Sequence, residues 1–485
     1  MKKIICLILC VLSINFSAGC VKEKSLLNEY DIAIELNEDM SANCSMRFSY
    51  TNDTKNKIDV LEFMLYPNAF SKDSKIKPIY SEYENRAYEN GISYGGIEIN
   101  GVKSNNTDLN YEVIKEEKNL LKVSLNGGLE SGKSVEIFVD FTLTLPNVNH
   151  RFGYGKNTVN LTGFYPVLCP LQNGEYYESV YYPSGDPFYS DVANYKVSLT
   201  VPAEFSVASS MKATSVEIEG FKTNYNYERN NVRDIAFVLS KNFNVIKKTV
   251  KNVEVSYYYF NDKDAEKSLE TAVKALSFFS NKFASYPYSE YVFCEADFIY
   301  GGMEYPCLTL IDKDLNGFDR DYCIVHETAH QWWYGLVGVN QSENAFIDEG
   351  LTEYSTVTFF ENFSEYNKNK KQLLNEAYNA YYEIRKNLAS NQSAVPKMNR
   401  NLGEFKSDID YVSIAYYRAQ LMIDDLNTFM SKTQFNKFLK NLCSEYSYKN
   451  LTLNNFLLCA EKHKKGAKKF LLGYIDGTKP VKSVA

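Results

Sequence analysis

Between residues 135 and 145 every second position is apolar: Val135, Ile137, Val139, Phe141, Leu143 and Leu145 alternate with mostly polar neighbours. That is the period of a strand with one face in a core and the other in water. Pro146 ends the run. The alternation returns in Tyr195, Val197, Leu199 and Val201 before Pro202, and tyrosine-rich β-formers follow at 255–260. Residues 28–260 are therefore expected to be mostly sheet. The period then changes, because Leu269, Ala272, Val273, Leu276, Phe279 and Phe283 fall on one face of a 3.6-residue helix. Beyond that point the chain reads as mainly helical, with one strand-like piece at 291–298 ahead of Gly301-Gly302. The expected fold class is α+β, with a β-rich N-terminal domain over 28–260 and a mainly helical domain over 261–485.

The first twenty residues follow another pattern. Lys2 and Lys3 precede an apolar stretch over 4–16, then Ser17-Ala18-Gly19-Cys20, the layout of an export signal. The stretch is too short to span a bilayer as a mature helix. Small residues directly before a cysteine resemble the lipobox of bacterial lipoproteins, in which that cysteine is acylated. The resemblance makes 1–19 a signal peptide, 20–27 a tether and Cys20 a lipid anchor on the outer face of the bacterial cell membrane. Ser17 stands where an aliphatic residue is usual, so ordinary secretory cleavage is the second reading; either route exports the chain.

The formal net charge is −7, and about −9 without Lys2 and Lys3, which gives nucleic acid no electrostatic reason to bind. The basic run at 462–469 reads as a solvated helix end, with contact to anionic lipid as the alternative. Outside the leader and Cys20 remain Cys44, Cys169, Cys294, Cys307, Cys323, Cys443 and Cys459, with no CxxC pair. Such a scattered, odd set argues against a disulfide framework and a cysteine zinc knuckle. Most of these thiols are expected to be core filler, Cys307 among them.

The chain has four histidines and two tryptophans, yet two of the former and both of the latter lie in HETAHQWWYG at 326–335. On a helix His326 and His330 are one turn apart and face the same way, so their imidazoles can converge on one ion, with Glu327 beside its open side. Glu349 follows His330 after eighteen residues, within DEGLTEY at 348–354, which reads as a second helix. Two histidines and a glutamate leave a fourth zinc position open, as in a catalytic site rather than a structural one. A hydrogen-bonded core pair is the competing reading of the histidines. Trp332 and Trp333 are read as packing that holds the ligand rotamers. Glu353, one turn after Glu349, is read either as the acceptor for a ligand histidine's free N–H or as an exposed carboxylate.

These motifs resemble the gluzincin metallopeptidases of the aminopeptidase N and leukotriene-A hydrolase type. HETAH, the eighteen-residue gap and DEGL match HExxH-x18-E. GGMEY at 301–305 is similar to the family's GxMEN motif, and YYRAQ at 416–420 to its Y-x-K-G-A helix. The resemblance implies a thermolysin-like catalytic domain over 261–485, one zinc ion on His326, His330 and Glu349, and Glu327 as general base. It further implies substrate contact along Gly301, Gly302 and Met303, capture of a peptide's free amine by Glu304, and Tyr416 as oxyanion donor with Tyr411 as the fallback. Tyr305 departs from the family's asparagine.

The expected function is that of a zinc-dependent aminopeptidase acting on peptides. The alternatives are an endopeptidase or oligopeptide-trimming enzyme and, from another class, a catalytically silent surface-binding protein.

Overall fold

The computed structural model describes residues 27–114, 119–389 and 396–482. The expected signal peptide, Cys20 and most of the tether lie outside the described residues. The alternation at 135–145 becomes the strand Ser134–Thr144, with Ile137, Val139, Phe141 and Leu143 buried and Phe138, Asp140 and Thr144 exposed. It lies between Ser41–Thr51 and Gly96–Ser104 in an eight-stranded sheet. Asn28–Leu36 and Ala193–Pro202 run parallel at the centre of that sheet. Two four-stranded sheets share its core, where Ile32, Phe48, Phe63, Leu161 and Phe237 are buried together, and a two-stranded sheet at 171–176 completes the β-rich region.

A five-stranded sheet joins this region to the helices, in the order Asn244–Val250, Val253–Tyr259, Glu290–Ala296, Leu308–Asp312 and Gly302–Met303. Its two faces belong to two cores. Val292, Cys294, Ala296, Leu308 and Leu310 pack into the N-terminal core, while Val255, Tyr257, Tyr291, Phe293 and Ile311 pack under the helices. Glu290–Ala296 is parallel to both its neighbours, and its burial on both faces explains why it lacks alternation. Sheet membership thus changes after Ser240, earlier than the change of period at 261.

The amphipathic stretch at 269–283 is the helix Ala265–Lys282, whose Leu269, Ala272, Leu276 and Phe279 face the second core. Full burial of each Leu or Phe contributes about 1.5–3 kcal/mol. Against this helix lies Gly317–Ala329, followed by Gln341–Asn362 and the helices of the C-terminal lobe. Among the described residues no helix is long and apolar enough to cross a membrane.

Candidate metal centre

His326 and Glu327 occupy the last turn of Gly317–Ala329, and His330 caps it in helical conformation (φ −60°, ψ −17°). The four-residue spacing brings the two Nε2 atoms to 3.1 Å. From Gln341–Asn362, Glu349 places Oε2 3.4 Å from His326 Nε2 and 3.5 Å from His330 Nε2. Two imidazole lone pairs and a carboxylate repel at such distances unless a cation lies among them. A tetrahedral zinc with bonds of about 2.0–2.1 Å holds its ligand atoms about 3.3 Å apart, close to the spacing here. Glu349 Oε2 is buried without a hydrogen-bond partner, as the acceptor for such an ion should be. The residues therefore fit zinc.

Hydrogen bonds at the far ring nitrogen fix the tautomer of His330. His330 Nδ1 lies 2.9 Å from the Trp333 carbonyl, 3.2 Å from Asp348 Oδ1 and 3.1 Å from Thr352 Oγ1. His326 Nδ1 is 2.9 Å from Glu353 Oε1, an ion-pair contact off the hydrogen-bond direction. Protons on Nδ1 leave both Nε2 lone pairs for a metal. Glu353 is buried, and its Oε2 accepts from Tyr322 Oη at 2.6 Å and Gln420 Nε2 at 3.2 Å. The tryptophans pack as expected: Trp332 donates to Ala284 O at 2.8 Å and Trp333 to Ser355 Oγ at 3.0 Å, with both rings against Phe283.

Above the triad lies a cavity of about 530 Å³. Burial pushes the Glu327 carboxyl up to about 8. Burial would also raise Glu349, but the two imidazoles outweigh it and hold that carboxyl at about 2. The Glu327 carboxylate lies over residue 302, where a Cβ would come within 2.3 Å of Oε1; only glycine fits. Gly301 turns the chain there at φ +88°.

Glu304 is buried in the cavity wall and accepts from Gln341 Nε2 at 2.9 Å; the same amide donates to Asp348 Oδ2 at 2.6 Å. Met303 does not line the cavity, and its sulfur instead accepts from Arg151 Nε at 3.1 Å. Tyr305 is fully buried and bonds Thr162 Oγ1 at 2.6 Å, tying the strand to the N-terminal region. That contact is what the departure from asparagine provides.

Tyr416 sits on a π-helical turn, Ser413–Arg418. Its hydroxyl donates to Glu349 Oε1 at 2.8 Å, and its ring stacks 5.9 Å from that of His326. The approach depends on Gly350, where a Cβ would lie 2.8 Å from the Ala419 Cβ. Tyr411 also lines the cavity, edge-on to Tyr416 at 5.8 Å.

The sequence reading does not reach Asp348, Gln341, Tyr322, Cys323, Arg151 or Asp186. Asp348 adjoins Glu349, and Cys323 precedes Glu327 by one turn, so both are within reach of a helical projection. Tyr322 likewise precedes His326 by one turn, and nothing of that kind marks Gln341, Arg151 or Asp186. Of the seven thiols, most of them expected to be core filler, six are buried and Cys323 is half-buried in the cavity wall. Cys307 is fully buried.

Residues 267–474 match the family model described as Peptidase family M1 domain. Curated relatives include rat endoplasmic reticulum aminopeptidase 1, 25% identical over 232 residues, which are 44% of this chain and 24% of the relative. Aminopeptidase M1-B of Oryza sativa subsp. japonica is 26% identical over 278 residues, 53% of this chain and 31% of the relative. Leukotriene A-4 hydrolase of Xenopus laevis is 26% identical over 187 residues, 36% and 27%. The chain spans about a quarter to a third of the length of these relatives. An M1 zinc metallopeptidase from Deinococcus radiodurans has the same fold along almost the whole chain. Its TM-score is 0.66 at 14% identity, covering 95% of each chain. A mutant of that protein bound to a Tyr-Ser-Ala substrate has a TM-score of 0.66 at 13% identity, covering 95% of this chain and 96% of that one. The β-rich region followed by a helical domain is shared with the Deinococcus radiodurans structures, and the stretch that brings the HETAH and DEGL residues together, 267–474, is the one similar to the Peptidase family M1 domain.

Proposed function

We propose that this chain is a zinc-dependent metallopeptidase that removes N-terminal residues from peptides. The observation that carries the reading is the triangle of two imidazole nitrogens and one carboxylate oxygen, 3.1–3.5 Å on its edges, opening on a cavity that also holds Glu327 and Glu304.

His326, His330 and Glu349 would hold one zinc ion, which supplies Lewis acidity toward a carbonyl and acidifies water. Glu327, buried and with a raised proton affinity, takes the proton from the attacking water and passes it to the leaving amine. The Tyr416 hydroxyl turns from Glu349 toward the developing oxyanion, where a donor stabilises the transition state preferentially. Glu304 pairs with the peptide's free amine, and Gly302 lets the substrate backbone pass close to Glu327.

The test compares hydrolysis of one peptide with its amine free and with it N-acetylated, before and after chelation and zinc re-addition. An aminopeptidase loses activity on chelation, regains it with zinc and discriminates strongly against the acetylated peptide. Equal cleavage of both peptides favours the endopeptidase reading. Bound zinc without turnover on any peptide favours the silent binding protein.

Export and acylation at Cys20 also belong to this proposal, supported by the pattern of residues 1–20 alone. Mass analysis of Cys20 in membrane-fraction protein, with a Cys20→Ser variant as control, tests it.

A further inference from the structure

The helical lobe from residue 432 to 482 carries eleven lysines, no arginine and three acids. It is +8 in a chain of net −7, which leaves the remainder at −15. The run at 462–469 is thus one part of a lysine-rich lobe, in which Lys479 and Lys482 pair with Asp425 from outside it. Lys432, Lys437, Lys440, Lys462, Lys465 and Lys469 are all exposed. Two of the three acids are already engaged: Glu445 pairs with Lys462 at 3.2 Å, and Glu461 accepts from the backbone N–H groups of Gly466 and Lys468 at 2.8 Å. On the helix Leu453–His463, Leu458 is 43% exposed one turn before Lys462, an apolar side chain amid the positive charge.

This lobe lies beside the point where the described chain begins. Asn28 pairs with Ala193, and Asp191 accepts from Asn450 at 2.7 Å. Lys449, the preceding residue, donates to the Glu445 carbonyl at 3.1 Å.

We propose that this surface docks on an anionic phospholipid membrane and so sets how the cavity faces the bilayer. Lysines spread over several helices, with an exposed leucine among them, suit a diffuse layer of lipid phosphates, each near the surface adding about 1 kcal/mol. Nucleic-acid recognition draws on bidentate arginines, which this lobe lacks. The proposal depends neither on the peptidase reading nor on acylation.

Residues 21–485, which retain every described element, are sedimented with vesicles of phosphatidylcholine alone and with about one third phosphatidylglycerol. Binding to the anionic vesicles only, lost on raising salt, supports the proposal. So does a drop of roughly tenfold or more in the variant Lys437→Glu, Lys462→Glu, Lys465→Glu, Lys469→Glu with unchanged thermal melting. Should that variant melt early, the four Lys→Gln changes and the salt titration of the unmodified protein serve instead. No binding to anionic vesicles, undiminished binding by the variant, or displacement from vesicles by duplex DNA at equal phosphate concentration would overturn it.

Discussion

On the wall of the cavity built from residues 317–362, Glu327 and Glu349 each leave a buried carboxylate oxygen without a hydrogen-bond partner. Across the cavity, on the wall from the N-terminal region, the charges are closed on one another. Arg151 pairs with Asp186, donates to Met303 Sδ and the Gly185 carbonyl, and packs among Phe188, Phe298 and Tyr300. An unsatisfied buried acceptor costs about 1–3 kcal/mol, and a cation held by His326, His330 and Glu349 would offset that cost at Glu349. The first wall is therefore built for reaction. The second holds a shape and adds no net charge from its ion pair.

Breaking the first wall should have the largest effects. Glu349→Ala removes one corner of the triangle and is expected to abolish both zinc retention and turnover, measured by metal content and peptide hydrolysis of the same sample. Glu327→Ala should keep zinc while turnover falls by about 10²–10⁴. Simultaneous loss of both would count against its role as base. Tyr416→Phe should lower kcat by about 10²–10³ with metal content unchanged. A larger fall in Tyr411→Phe would transfer the oxyanion role to that residue.

The second wall should respond in stability more than in chemistry. Arg151→Met strands Asp186 in a buried site, and breaking a buried pair costs about 3–5 kcal/mol. Turnover per folded molecule should fall only severalfold. The double variant Arg151→Met, Asp186→Leu should recover much of the stability in a denaturation curve; a double variant no more stable than the single would show that the wall needs the ion pair itself.

The contrast between the walls also explains what a reader of the sequence can find. His326, His330 and Glu349 are legible because helical spacing converts four residues into one turn, and the strand at 134–144 because alternation is local. Arg151 and Asp186 reach the cavity through the packing of the N-terminal sheets against Gly302–Met303, and no local period encodes that. The sheet boundary hides for a related reason: Val253–Tyr259 shares β-formers with the strands before it, but pairs with Glu290–Ala296 after it. Tyr305 is legible as a departure from the family motif; its bond to Thr162 becomes intelligible only once both residues are placed.

The smallest effect on turnover is expected behind Tyr416, where a second buried arginine–aspartate cluster stands in the reactive half of the molecule. Asp410 accepts from Arg385 Nη1 at 2.7 Å and from Arg400 Nη1 at 2.8 Å, just before the π-helical turn that carries Tyr416. Burial alone would raise its carboxyl, but hydrogen bonds and charge from Arg400 and Arg385 outweigh burial and leave it below the ordinary 3.8. A carboxyl depressed on folding stabilises the protein fully above its unfolded value, near 4, and the contribution fades as pH falls through the lower folded value. Asp410→Asn should therefore melt below the parent chain at neutral pH, with the gap narrowing as pH falls below about 4. If the turn is held in place by this cluster, kcat should drop severalfold with KM unchanged, because Tyr416 is aimed less well while Glu304 and the glycine strand are untouched. A melting gap independent of pH would mean that the carboxylate's charge contributes nothing there and that shape alone holds the turn.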